Sequence, residues 1–185
     1  MNYIIEDKIL ELTATQEGLQ EGFQLLVQLY KRPIYWHIRR LVVSHEDAED
    51  VMQEAFISVF RHISKFKRES SLKTWVYKIA TNQAITHCTK RSLEMDSYDE
   101  KSRLVELFES EPEVDHATAE ALLQRAILAL PERQRIAFNL RYFEEMSYEE
   151  IAEVTGSTTT TLKTNYHYAQ NKIKEFIIKN MEVAL

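Results

Sequence analysis

The sequence predicts an all-α fold: two small helical domains joined by an acidic linker, with a helix-turn-helix in the second domain. Three Gly and three Pro among 185 residues leave few chain breakers, which favours long helices over a turn-rich sheet. Apolar residues recur every three or four positions in both halves, the spacing of amphipathic helices. An acid-rich stretch with weak periodicity separates the halves. We therefore expect domains at 1–92 and 118–185, and an extended linker at 93–117.

In the first half, apolar stripes flank Pro33, which we expect to interrupt the first long helix. Ser44 resembles the first residue of a capping box, with Asp47 in place of the usual glutamate, so a helix is expected to begin there. The buried stripe of that helix is expected to comprise Val51, Ala55, Phe56, Val59, Phe60 and Ile63. A further helix is expected after a break at 67–71. Its apolar face carries Leu72, Trp75, Val76 and Ile79.

The second half ends in a short capped helix, a glycine turn and a longer helix. Ser147 and Glu150 have the spacing of a full capping box, and Gly156 suits the end of the short helix because glycine tolerates a positive φ. The longer helix is expected to begin at Ser157 or Thr158. Its apolar stripe comprises Leu162, Tyr166, Ala169, Ile173 and Ile177. This pattern is typical of a helix-turn-helix, with an ordinary helical pair as the alternative.

The net charge of −6 is unevenly distributed along the chain. Residues 46–60 hold five acidic and no basic residues, whereas residues 61–92 hold eight basic residues and one acidic residue. Residues 93–120 are acidic again, with ten acidic residues and two basic ones. A phosphate-binding surface needs local positive potential, which the basic block supplies. The alternative is that these charges lie on ordinary solvated helix faces.

Two segments have the composition of nucleic-acid-binding surfaces. The polar face of the last helix carries Thr159, Thr160, Lys163, Thr164 and His167. Hydroxyls and N–H groups at a helix N-terminus bind phosphates, and Thr and His can contact base edges in the major groove. The basic block interleaves Phe66, Trp75 and Tyr77, as single-strand binding surfaces do. Because Trp75 lies on an apolar stripe, we expect it in the core and Tyr77 as the stacking residue.

Several classes of protein are excluded or disfavoured. The single cysteine, Cys88, excludes an internal disulfide and a cysteine-based zinc site. The chain has no secretory signal pattern and no apolar run of roughly 18 residues that would cross a bilayer, so we expect a cytoplasmic protein without membrane insertion. There is no Gly-rich phosphate loop, nucleophile motif or paired histidine ligands. We expect no catalytic residue, metal, cofactor or small-molecule substrate.

Four short motifs follow one another along the chain. Residues 47–56 read DAEDVMQEAF, and residues 72–82 read LKTWVYKIATN. Residues 130–135 read LPERQR, and residues 146–152 read MSYEEIA. The first two resemble the promoter-melting region, and the last two the start of the second domain, of extracytoplasmic-function (ECF) sigma factors in the sigma-70 superfamily.

The resemblance implies a non-catalytic subunit that gives RNA polymerase its promoter specificity. Core polymerase would contact the helix at 47–63 through Asp50, Gln53 and Glu54. The next block would melt the minus-ten element of promoter DNA, with Asn82 near a flipped base. The residues that would hold the DNA backbone there are Lys65, Arg68, Lys73 and Lys78. The helix from Thr158 would read the minus-thirty-five element through Thr158, Thr159, Thr160, Lys163, Thr164 and His167.

Two further expectations follow from the resemblance. An anti-sigma factor would hold such a protein inactive, and the acidic linker would lie in the RNA exit path. Many family members carry arginines where this chain has Asn165 and Tyr168, so phosphate attraction by this helix is expected to be weaker. The alternative function is a stand-alone helix-turn-helix regulator that binds duplex DNA without polymerase. It explains residues 147–174 and leaves the basic block and the acidic helix unexplained.

Overall fold

The computed structural model describes residues 2–94, 100–111, 115 and 118–182, and all of the regular structure in these ranges is helical. The all-α prediction is therefore confirmed for this part of the chain. The helices are α1 (Asn2–Leu12), α2 (Leu19–Val42), α3 (His45–His62), a 3₁₀ helix (Ile63–Lys65), α4 (Leu72–Glu94), α5 (Glu100–Glu109), α6 (Ala119–Leu128), α7 (Glu132–Tyr142), α8 (Tyr148–Thr155) and α9 (Thr159–Glu182).

Helix α2 runs unbroken through Pro33, so the expected interruption is wrong. Pro33 is exposed, and its missing N–H weakens the helix only on the solvent side. On the opposite side Tyr30, Ile34 and His37 are buried and continue one apolar face across the proline. Burial of that face compensates for the backbone hydrogen bond that the proline removes.

Several helices begin or end at the capping residues that the sequence predicts. The Ser44 Oγ accepts a hydrogen bond from the Asp47 N–H at 3.3 Å, so the expected N-cap of α3 is confirmed. Ser147 and Glu150 form the reciprocal capping box, and Gly156 ends α8 with φ = 69°. Thr158 begins α9 by accepting from the Thr161 N–H at 3.2 Å. These contacts form the helix-turn-helix of α8 and α9.

Buried residues of the two helical halves form one hydrophobic core. Helix α8 packs along α4, and both α6 and α7 contact α2. Buried Leu140, Met146 and Ile151 of the second half belong to the same apolar cluster as Leu26 and Val76 of the first. The two helical halves that the sequence predicts are therefore in contact with each other in this structure.

Helix α5 lies inside the stretch that we expected to be an extended linker. Its Leu104 and Phe108 are 2% and 6% exposed, and they cluster with Val43 and Ala121. The four-residue spacing of Leu104 and Phe108 is a helical signal, and their burial outweighs the repulsion between nearby acids. The remaining linker residues, 95–99, 112–114 and 116–117, lie outside the described residues.

Candidate nucleic-acid interface

A groove of about 850 Å³ lies between the end of α3 and the first half of α4. It is lined by basic, aromatic and small polar side chains, with one acid from the loop and one from α8. The lining residues are Ser58, His62, Lys65, Phe66, Lys67, Glu69, Ser70, Thr74, Trp75, Lys78, Ile79, Asn82 and Glu153. Cations beside aromatic faces are the combination that single-stranded nucleic acid binds.

Local folding shapes the walls of this groove. Ile63 is 3% exposed and anchors the 3₁₀ helix to the core. The Ser71 Oγ accepts from the Thr74 N–H at 3.0 Å and caps the start of α4. The Phe66 and Trp75 rings then pack with centroids 5.0 Å apart, which leaves Trp75 half-buried in the groove wall.

The structure brings three of the predicted minus-ten residues together at the groove. Lys78 and Asn82 are one helical turn apart on the exposed side of α4, and Lys65 lies across from them at the end of the 3₁₀ helix. Arg68 is exposed in the loop before α4, with φ = 56°, and does not line the groove. These side chains present positive charge to solvent along one edge of the first half.

Tyr77 and Lys73 lie on a different side of α4, against the second half. Tyr77 is 1% exposed, and its hydroxyl donates a hydrogen bond to the Glu144 carboxylate. Burial and the neighbouring Glu144 carboxylate raise the pKa of Tyr77. The Lys73 Nζ donates to the backbone carbonyl of Glu144 at 2.7 Å. Tyr77 is thus more deeply buried than Trp75, which packs against the core while still lining the groove. The packing of α8 buries a second face of α4 that periodicity does not reveal.

The six predicted reader residues lie along the first turns of α9. Thr158, Thr160, Lys163, Thr164 and His167 are exposed, and Thr159 is half-buried. Buried Leu162, Ala169 and Ile173 hold the opposite face of the helix. The Thr164 hydroxyl donates to the Thr160 carbonyl at 3.0 Å, and the Lys163 Nζ lies 5.6 Å from the centroid of the Tyr148 ring. These contacts orient the polar face of α9 without covering it.

Asp50, Gln53 and Glu54 are exposed on α3, on the side away from its buried stripe. Beside them runs an apolar groove of about 1000 Å³ between α2 and α3. Its apolar lining comprises Leu19, Phe23, Val27, Met52, Phe56, Ile57 and Phe60. Sequence reasoning assigned Phe60 to the buried stripe, which is wrong.

Phe60 is 42% exposed, and its ring packs edge-to-face against Phe23 at 4.9 Å. Ile57, which is 38% exposed, lies one helical turn before it and belongs to the same surface. Both residues lie beside the line of Val51, Ala55 and Val59 rather than on it. Large apolar residues that lie beside the buried stripe of a helix, as Ile57 and Phe60 do, are the feature of the sequence that indicates this apolar surface.

Within the described part of the chain, no three or more His, Cys, Asp or Glu side chains are grouped so that they could hold a metal ion. Over the same residues, no helix combines the length and hydrophobicity that spanning a membrane requires. His37 is fully buried, with its Nε2 at 2.8 Å from the Thr81 hydroxyl. Burial and the nearby Arg40 charge lower the pKa of His37 to about 3.

Comparison with protein families matches the two halves of the chain to two regions of one family. Sigma-70 region 2 matches residues 26–94, and Sigma-70, region 4 matches residues 120–170. The first match contains α4 and every residue that lines the groove except Glu153. The second contains α8 and the first half of α9.

Similar proteins of known function extend along nearly the whole chain. The RNA polymerase sigma-H factor of Pseudomonas aeruginosa is 34% identical over 172 residues, covering 85% of this chain and 87% of that protein. The ECF RNA polymerase sigma-E factor of Escherichia coli K12 is 30% identical over 183 residues, covering 94% of this chain and 95% of that protein.

Two solved structures share the fold. CnrH, in complex with the cytosolic domain of CnrY, has a TM-score of 0.68 and 16% identity, covering 95% of this chain and 98% of that one. The sigma factor RpoE of Bartonella quintana, in complex with the anti-sigma factor NepR, has a TM-score of 0.69 and 22% identity. That match covers 85% of this chain and 97% of the RpoE chain.

Proposed function

Since this chain belongs to the ECF type of the sigma-70 family of RNA polymerase sigma factors, we propose that its two halves bind two different promoter elements. A sigma factor acts in transcription initiation and is not an enzyme. Membership of this family decides against the stand-alone regulator. We place the region 2 domain at 1–92, the connecting segment at 93–117 and the region 4 domain at 118–185.

The observation that carries the proposal is the grouping of Lys65, Lys78 and Asn82 beside Trp75 in one groove. The lysines attract the DNA backbone, and the Trp75 ring offers a face on which an unpaired base stacks. Asn82 supplies an amide donor and acceptor for the edge of a flipped base. Single-stranded minus-ten DNA therefore lies along this groove. Arg68 binds the DNA backbone just outside the groove.

The exposed face of α9 reads the minus-thirty-five element as a duplex. A helix of this kind enters the major groove with its N-terminal residues against base edges. Lys163 attracts phosphates, whereas Thr160, Thr164 and His167 offer groups for base contacts. Thr158 and Thr159 lie at the helix start, where hydroxyls and backbone N–H groups bind phosphate oxygens.

Asp50, Gln53 and Glu54, with the apolar groove beside them, form the surface for core polymerase. Exposed large apolar side chains such as Phe60 mark interaction surfaces, and the exposed carboxylates of Asp50 and Glu54 beside them favour a basic partner. Asp50→Lys with Glu54→Lys should abolish binding to core polymerase in fluorescence anisotropy. Glu11→Lys, at an exposed position of α1, is the control and should leave binding unchanged.

The function is tested by run-off transcription with core polymerase, this protein and a library of random promoter sequences. We expect transcripts only when both proteins are present, and the selected templates should share two conserved elements. If the selected templates shared no minus-ten element, the proposal that the groove binds this element would be contradicted. Specific binding of the free chain to duplex DNA at the same affinity as the complex with polymerase would contradict the need for polymerase.

We further propose that an anti-sigma factor regulates this chain in the cytoplasm. The support is that the structurally similar RpoE of Bartonella quintana was solved with an anti-sigma factor. Such a partner competes with polymerase for α3, so its addition should lower run-off transcription in proportion to its occupancy. Excess core polymerase should restore the transcript. If excess core polymerase did not restore the transcript, the anti-sigma factor would bind a surface other than α3.

A further inference from the structure

Two exposed residues of α9, His167 and Asn171, are joined by a hydrogen bond between their side chains. The Nδ2 atom of Asn171 lies 3.1 Å from the Nε2 atom of His167. The two residues are one helical turn apart, on the side of α9 opposite buried Ala169 and Ile173. The pair therefore continues the reader surface by one turn toward the C-terminal end of the helix.

The chemistry of the two side chains determines which atom donates this hydrogen bond. The amide nitrogen of Asn171 carries two protons and cannot accept, so it is the donor. A neutral imidazole has one donor nitrogen and one acceptor nitrogen, and Nε2 of His167 is here the acceptor. Because the bond made by one ring nitrogen sets the state of the other, the ring proton lies on Nδ1. His167 therefore presents an N–H donor at its Nδ1 edge.

The neighbouring polar groups of α9 do not offer the same donor. The Thr164 hydroxyl donates to the Thr160 carbonyl at 3.0 Å, so only the lone pairs of its oxygen remain for DNA. The Lys163 Nζ lies 5.6 Å from the centroid of the Tyr148 ring, on the side of α8. His167 is therefore the neutral hydrogen-bond donor at this level of the reader surface.

A single donor distinguishes bases by what they present in the major groove. Guanine presents two acceptors, N7 and O6, whereas cytosine presents the protons of its N4 amino group. We propose that Asn171 is a positioning residue for promoter recognition: it holds His167 in the Nδ1–H tautomer, and His167 therefore selects guanine over cytosine at one position of the minus-thirty-five element. The inference rests on the proposed reading of that element by α9, and it adds the base selected and the residue that determines the selection.

The expected size of the effect is that of one hydrogen bond. When cytosine replaces guanine, the Nδ1 proton faces an amino group, so one hydrogen bond is lost and two donors oppose each other. The net contribution of a single hydrogen bond corresponds to about fivefold in affinity. We therefore expect the wild type to prefer G·C over C·G by about fivefold at the position that His167 contacts.

The first experiment locates that position. Fluorescence anisotropy measures binding of the complex with core polymerase to duplexes in which each position of the selected minus-thirty-five element carries either G·C or C·G. His167→Ala should abolish the preference for G·C at one position and leave the other positions unchanged. If His167→Ala kept every preference, His167 would not contact a base and the proposal would be overturned.

The decisive variant is Asn171→Asp, measured at about pH 8.5, where an exposed imidazole is neutral. A carboxylate accepts and cannot donate, so Nε2 of His167 would carry the proton and Nδ1 would become an acceptor. The preference should invert, with C·G bound more tightly than G·C at the located position. The added negative charge weakens binding to every sequence, so the ratio of the two affinities is the measured quantity.

Gln170→Glu is the matched control, because it adds the same charge at the adjacent exposed position. It should weaken binding to both duplexes equally and keep the preference for G·C. Asn171→Ala should reduce the preference to about twofold or less, since both tautomers of His167 are then populated. An unchanged preference in Asn171→Asp, or the same change in Asn171→Asp and Gln170→Glu, would overturn the role of Asn171.

Nuclear magnetic resonance of the free full chain tests the tautomer without DNA or polymerase. The nitrogen-15 shifts of an imidazole report which ring nitrogen carries the proton, and the signals of His167 are those that disappear in His167→Gln. We expect the proton on Nδ1 in the wild type and on Nε2 in Asn171→Asp. A proton on Nε2 in the wild type would overturn the proposal even if α9 reads DNA. The absence of any preferred minus-thirty-five sequence would instead contradict the proposed function of α9.

Discussion

The two proposed DNA surfaces differ in how much of each is covered by the rest of the chain. On α9, five of the six reader residues are exposed and none is buried. In the first half, Lys65, Lys78 and Asn82 are exposed, whereas Tyr77 is buried and Lys73 is bonded to Glu144. The reader helix is ready to bind a duplex, and the melting surface is only partly accessible.

This difference matches the DNA that each surface is proposed to bind. A duplex presents its major groove without any change in base pairing, so a preformed helix suffices. A melted strand exists only after base pairs have opened, and unpairing costs free energy. The comparison teaches that contacts with a distant segment, as well as helical periodicity, determine which residues of a candidate site are exposed.

The largest expected effect comes from removing two cations of the melting surface. Lys73→Ala with Lys78→Ala should lower promoter opening on the order of 100-fold, since each charged contact contributes about tenfold. Permanganate reactivity of thymines in the selected minus-ten element measures opening. Binding to core polymerase should stay unchanged.

Lys172→Ala with Lys174→Ala removes the same charge from exposed positions of α9, well past the reader residues. This control should open the promoter much as the wild type does. Equal loss of opening in the two double variants would show that net charge, and not the position of the lysines, determines melting. Equal loss of polymerase binding and of opening in Lys73→Ala with Lys78→Ala would show that the DNA face is misplaced.

The first half contributes the acid-sensitive group of the shared core, His37. Its pKa is about 3 in the folded chain and about 6.5 when unfolded, so the unfolded state binds more protons between these values. Stability is therefore lost as the pH falls below about 6.5, by about 2 kcal/mol at pH 5. Urea unfolding at pH 7 and pH 5 measures this loss.

His37→Gln cannot take up a proton and should lose about 2 kcal/mol less than the wild type between these two pH values. The matched control is His62→Gln, because His62 is exposed. It should keep the pH dependence of the wild type. Identical pH dependence in all three proteins would contradict the neutral, buried state of His37.

On the reader surface, Lys163→Ala should weaken binding of the polymerase complex to duplex minus-thirty-five DNA by about tenfold. It should also reduce the slope of log affinity against log salt by about one. The effect should be similar for all duplex sequences, because a lysine–phosphate contact carries no base information. Filter binding at several salt concentrations measures both quantities. An unchanged slope would show that Lys163 does not contact DNA. The control is Lys172→Ala.

The smallest effect is expected from removing the Ser147 cap of α8, the helix that packs against the reader helix α9. Ser147→Ala removes the hydroxyl that accepts from the Glu150 N–H at 3.2 Å, and should cost about 1 kcal/mol of unfolding free energy. Because α8 packs along α4, both halves should lose stability in a single transition. Ser64→Ala, at an exposed position, is the control for urea unfolding. Two separate transitions would show that the halves do not share a core.

Local signals in the sequence predict most helices and their ends, because caps at Ser44 and Ser147 and the turn at Gly156 depend on neighbouring residues only. The reader face is also predictable, since α9 has one buried and one exposed side. The burial of Tyr77 is not predictable in this way, because a distant segment, the α7–α8 corner, covers it. Contacts between residues far apart in sequence leave no trace in helical periodicity.

The central claim is that α4 holds melted DNA while α9 reads the duplex. It is tested most directly by run-off transcription from the selected promoter in two forms, fully paired and with a pre-melted minus-ten bubble. Lys73→Ala with Lys78→Ala should recover much of its lost activity on the bubble, whereas Lys163→Ala should show the same deficit on both templates. Equal recovery of both variants, or recovery of Lys163→Ala alone, would contradict the claim.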